Sequence, residues 1–165
     1  MTMKSISAPL LLILSLNANA AYDVNEVALG AGEKDLRQKF PSAHCKALEW
    51  RSGAADRRCD DSRITLGGVP ARVTFYLRQD KVEAFDVRFD AQQLEKLIAY
   101  LKERYGKPAA EQRDTVGEPG KERRIVKLLW DAKNERAVLT AQLDQRRGSL
   151  LVSRGAFDEE IYKVR

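Results

Sequence analysis

One histidine, His44, serves the whole chain of 165 residues. Any nucleophilic site that needs an imidazole base would have to be built on it, and no Gly-x-Ser-x-Gly marks a serine partner. Cysteine is almost as scarce, with Cys45 and Cys59 alone and no Cys-x-x-Cys, so zinc and redox motifs are excluded. No Asp-x-Asp-x-Asp-Gly run offers a calcium loop. Gly30-x-Gly32 has no strand before it and no third glycine after it, which removes a nucleotide loop. The carboxylates Asp60-Asp61, Glu159-Glu160 and Asp86 have no convergent partner of the kind glycoside hydrolysis requires. The expectation is no catalytic residue, no metal and no cofactor. After residue 21 there is also no apolar run long enough to cross a bilayer. Lys and Arg number 29 against 24 Asp and Glu, a net charge of +5. The two signs are interspersed, which describes a solvated surface and not a nucleic-acid footprint.

What the chain does contain begins with an export pattern. Lys4 is a positive n-region, Ala8 to Leu16 an apolar run, and Ala18-Asn19-Ala20 a small-residue cleavage site. Residues 1–20 are therefore expected to be a Sec-type signal peptide cut after Ala20, delivering the rest to the periplasm or beyond. No cysteine stands at the cut, so lipoprotein anchoring is not indicated. In an oxidising compartment the default for Cys45 and Cys59 is one disulfide, closing a loop of about 15 residues worth on the order of 3 kcal/mol.

Residues 69–108 organise the remainder. Val73, Phe75 and Leu77 alternate with polar neighbours, as do Phe85, Val87 and Phe89, with Arg78-Gln79-Asp80-Lys81 as the turn between two strands. Asp90 is placed to cap a helix, with Gln93 completing a capping box. Leu94, Leu97, Ile98, Leu101 and Tyr105 make one apolar stripe, and Gly106 and Pro108 end the helix. Upstream, a short helix at 33–40 ends at Pro41, a weak strand covers 46–51, residues 52–58 form a polar loop tip, and a strand covers 62–66. Downstream, residues 107–122 read as the longest loop, followed by strands at 123–131, 136–143 and 149–153 and a short C-terminal helix at about 156–164. Trp50 and Trp130 are expected in the core.

These elements predict an α+β fold. An antiparallel sheet packs against one long helix and two short ones, with tandem α-β-β-β units as one arrangement. The domain is a single one, 21–165, with 28–89 and 90–165 as its candidate sub-units. The other explanation of the echo between the halves is that prolines commonly follow helices.

Three arginine pairs remain, Arg57-Arg58, Arg123-Arg124 and Arg146-Arg147. Guanidinium forks suit carboxylate and phosphate partners. Together with Tyr76 and Arg88, expected on the strand face turned away from the helix beside Arg72 and Asp86, they are the candidate partner-binding residues. They suit an acidic protein or an anionic surface. The leading expectation is a non-catalytic periplasmic or secreted interaction module that binds another envelope or secreted protein. The alternative is a small hydrolase or a carbohydrate- or ligand-binding domain.

Gly30, Leu36, Phe40 and Pro41, with Leu101, Tyr105, Gly106 and Pro108 in the second unit, follow an export signal in an order similar to the SmpA/OmlA-type outer-membrane assembly proteins. The tandem pattern also resembles the secreted β-lactamase-inhibitor-protein fold. The resemblance implies binding to proteins through an exposed sheet face and loops, without catalysis, as an envelope-assembly accessory or an enzyme inhibitor.

Overall fold

The alternation at 69–90 folds as a hairpin of two ten-residue strands, and the rest of the sheet grows outward from it. The computed structural model describes residues 22–154 together with Phe157 and Glu160. In chain order come a two-residue ladder, β1 (Asp23–Val24) and β2 (Val27–Ala28), then helix α1 (Glu33–Lys39). Strands β3 (His44–Ala47), β4 (Arg57–Leu66), β5 (Val69–Arg78) and β6 (Lys81–Asp90) follow. A 3-10 turn at Ala91–Gln93 leads into helix α2 (Leu94–Tyr105). Then come β7 (Ala110–Val116), β8 (Arg123–Ala132), β9 (Glu135–Gln142), a second 3-10 turn at Leu143–Gln145, and β10 (Arg147–Arg154).

β3 to β10 form one eight-stranded antiparallel sheet in the order β3-β4-β5-β6-β10-β9-β8-β7. Two meanders, β3–β6 and β7–β10, meet at a β6–β10 seam running from Asp90–Arg147 to Ala84–Ser153.

This overturns the expected α+β balance. The protein is mostly β, with two helices among the described residues, of which α2 has 12 residues and α1 has 7. Each helix leads into four strands, where four were expected after the first and three after the second. The missing strand of the second half is β7, inside the segment read as a loop. Its sequence, AEQRDTV, is exposed throughout and carries no alternation to read. β4 likewise starts at Arg57, inside the expected loop tip, because its first five residues are charged apart from Cys59. The signal peptide at 1–20 lies outside the described residues. So does the C-terminal helix at about 156–164, apart from Phe157 and Glu160.

Both helices and the β1–β2 ladder cover one face of the sheet. Leu94, Leu97, Ile98 and Leu101 of α2 are buried, as the stripe predicts. They meet Phe75, Phe85, Val87, Leu128, Leu139 and Leu150 in one continuous core. Each such side chain contributes roughly 1.5–3 kcal/mol of apolar burial. The Phe40 ring meets Phe75 edge-on at 4.9 Å. Trp130 is buried, with its indole N–H donating to the Gly106 carbonyl at 2.9 Å. Trp50, expected in the core, lies in the β3–β4 loop and is 40% exposed. Asp90 caps the first 3-10 turn by accepting from the Gln92 N–H at 2.9 Å. Cys45 and Cys59 stand opposite each other across β3–β4 and are bridged. No helix among the described residues is long and apolar enough to cross a membrane.

Candidate interaction face

Because the core residues take one parity of each strand, the other parity is left on a face that neither helix covers. Cross-strand registry arranges that face in rows. Arg58, Tyr76 and Ala84 share one, Thr74, Asp86, Leu151 and Val138 the next, and Arg72, Arg88, Ser149 and Thr140 a third. Asp90, Arg147 and Gln142 make a fourth. Side chains from β4 across to β9 line a single trough of about 900 Å³. A smaller notch of about 300 Å³ adjoins it through the shared residues Tyr76 and Arg88.

The charges in the trough are largely paired. Arg88 Nε donates to Asp86 Oδ2 at 2.9 Å, a contact that raises the Arg88 pKa. Arg58 Nε donates to Asp60 Oδ2 at 2.8 Å, and Asp60 accepts from the Thr74 hydroxyl at 2.8 Å. Arg146 pairs with Asp90, its Nε donating to Oδ1 at 3.4 Å. That contact and the Gln92 N–H together hold the Asp90 carboxyl below its ordinary range. Burial, then the Asp86 charge, pushes the Tyr76 phenol up. Tyr76 is roofed by Phe157, with ring centroids 5.2 Å apart.

The structure gathers five of the eight predicted binding residues at this face, since Arg58, Tyr76, Arg88, Arg146 and Arg147 all line the trough or the notch. Three lie elsewhere. Arg57 has the helix-side parity and donates from Nη2 to Glu33 Oε1 of α1 at 3.3 Å, while its buried Nε has no partner among the described residues. Arg123 and Arg124 sit at the far end of β8. Arg124 is tied there to Asp144 through its backbone N–H at 2.6 Å and its guanidinium at 3.0 Å. Sequence reasoning missed the apolar floor, Val138 and Leu151. Their signal is legible afterwards, because Val138 falls between the core residues Ala137 and Leu139, and Leu151 between Leu150 and Val152. An apolar residue on the wrong parity of a half-covered strand marks an uncovered contact surface.

His44 is exposed on edge strand β3 opposite Asp60. Glu33, Cys45 and Cys59 are close enough together to hold a metal, but the bridge consumes both sulfurs. Fold and face together define a two-layer β protein whose second sheet face is troughed and covered by neither α1 nor α2. No family model, curated protein or solved structure matches the chain.

Proposed function

We propose that this chain is a non-catalytic protein-interaction module of the periplasm or the secreted space, acting as an envelope-assembly accessory or as an inhibitor of a secreted enzyme. The observation that carries the reading is the trough, a broad sheet face that neither α1 nor α2 covers, with apolar residues on its floor and arginines along it. Unpartnered apolar surface ringed by polar groups is characteristic of protein contact sites. The bridged cysteines suit an oxidising compartment, in keeping with the export pattern at residues 1–20. The likeness to the SmpA/OmlA-type proteins and to the β-lactamase-inhibitor-protein fold fits the same reading, since it implies binding through an exposed sheet face.

A ligand-binding role is the second reading, favoured by the notch, where Trp50, Leu48, Tyr76 and Phe157 make an apolar wall. For a hydrolytic version, neither carboxylate that lines the trough is poised as an acid. Asp86 and Asp90 are each tied to an arginine, and Asp90 is held below its ordinary range where a general acid needs the opposite.

The test is affinity capture of envelope proteins by residues 21–165, with the double variant Tyr76→Ala/Arg88→Ala in parallel. The expected outcome is one stoichiometric partner, lost in the variant while its thermal melt stays within a few degrees. Loss of partner and melt together would point to folding, and absence of any partner under gentle crosslinking would move the weight to the ligand reading.

A further inference from the structure

We propose that the trough receives a protruding acidic segment of a partner protein, whose carboxylates seat on Arg72 and Arg147. This rests on the interaction-module reading and names the partner's chemistry.

Arg72 and Arg88 stand directly opposite each other across β5–β6. Like charges in that position are destabilising, so an arrangement of this kind is expected where a ligand supplies the missing charge. Four guanidiniums line the trough, those of Arg72, Arg88, Arg146 and Arg147, against the two carboxylates Asp86 and Asp90. Asp86 is spent on Arg88 and Asp90 on Arg146. Arg72 and Arg147 are exposed and have no carboxylate partner among the described residues.

Registry separates these two cations. Arg72 lies on β5, two strands from β10, and faces the row of Ser149, two residues along from Arg147. Strand spacing and rise put their Cα atoms roughly 12 Å apart, a short reach for two carboxylates on one peptide segment. Val138 and Leu151, in the row next to that of Arg72 on the side away from Arg147, are half-buried and apolar. A seated segment would exclude water there and strengthen the bidentate arginine–carboxylate contacts. The cations lie along a concave face, which a loop can enter and a planar bilayer cannot follow.

The test uses oxidised residues 21–165 and three probes. These are a backbone-cyclised ten-residue peptide with two Asp-Glu pairs flanking leucine, its Asn-Gln counterpart, and phosphatidylglycerol-containing vesicles. Calorimetry and the fluorescence of exposed Trp50 report binding. The acidic peptide is expected to bind, to weaken about tenfold between low and high salt, and to bind Arg72→Glu/Arg147→Glu at least about tenfold more weakly. Arg123→Glu/Lys107→Glu, outside the trough, should bind as the parent does, and all melts should agree. Equal binding of the amide peptide, indifference to Arg72→Glu/Arg147→Glu, vesicle binding that depends on those two arginines, or no peptide binding at millimolar concentration would each overturn the proposal. A captured partner lost in Tyr76→Ala/Arg88→Ala but kept in Arg72→Glu/Arg147→Glu would overturn the acidic occupant and leave the interaction module standing. Peptide binding without any captured partner would support the trough's chemistry and remove the accessory role.

Discussion

Gly148 sits where the Phe89 ring crosses the β6–β10 seam, and a Cβ built there would lie 2.4 Å from the ring. Gly148→Ala must displace a side chain of the core, and it is expected to lower stability by about 1–3 kcal/mol, read from urea unfolding. A shift below half of that would mean the ring yields freely. Asp90 offers a second test. Its pKa is depressed in the folded state by Arg146 and the Gln92 N–H. The contribution is therefore present above the unfolded pKa of about 3.9 and is lost as pH falls through the lower folded value. Asp90→Asn should melt lower than the parent near neutral pH and converge with it in the acid branch. Parallel curves from pH 7 down to about 2 would refute the linkage. The capping role of Asp90 was readable from its place before an apolar stripe. Its ion pair with Arg146 was not, because 56 residues separate the two.

At the scale of elements, α2 and the hairpin were legible because their periods are clean. The helix stripe buries Leu94, Leu97, Ile98 and Leu101, and the strand parities bury Val73, Phe75 and Leu77. Leu97→Ala, at a site with no exposure, should cost roughly 2–5 kcal/mol, measurable in the same unfolding experiment. β7 was not legible, since its order comes from outside its own sequence. It has a full ladder with β8, a Lys102–Glu111 contact at 2.9 Å and an Arg113–Glu95 contact at 2.8 Å, both ion pairs reaching α2. Its charges also suit an edge strand, which must resist pairing with other chains. The β3–β4 ribbon depends on the Cys45–Cys59 bridge, because β3 is a four-residue edge strand with one neighbour. Replacing both cysteines with serine should lower stability by about 3 kcal/mol and change Trp50 fluorescence before that of buried Trp130. Simultaneous changes would show that the ribbon melts only with the whole.

Across the whole molecule, the seam and the core make the two halves interdependent. One apolar cluster runs from Val24 and Leu36 through Phe85 to Leu139 and Leu150, and β6 has β10 as its second neighbour. Residues 22–90 expressed alone should therefore be unfolded by circular dichroism, having lost half of that core and left β6 as an open edge. Local periods, turn residues and cysteine count determined by themselves the hairpin, the buried face of α2, the pairing of the cysteines and the absence of catalytic motifs, because each depends on neighbours a few residues away or on simple arithmetic. Tertiary structure decided the rest. It enlisted the polar segments β7 and the start of β4 as strands, moved Trp50 outward, and sent Arg57 to the helix side. It also brought Arg147 onto the face that Arg72 and Arg88 share, 75 residues along the chain from Arg72. Those outcomes follow from cross-strand registry and from which sheet face the helices cover, and neither is written in the period of any one segment.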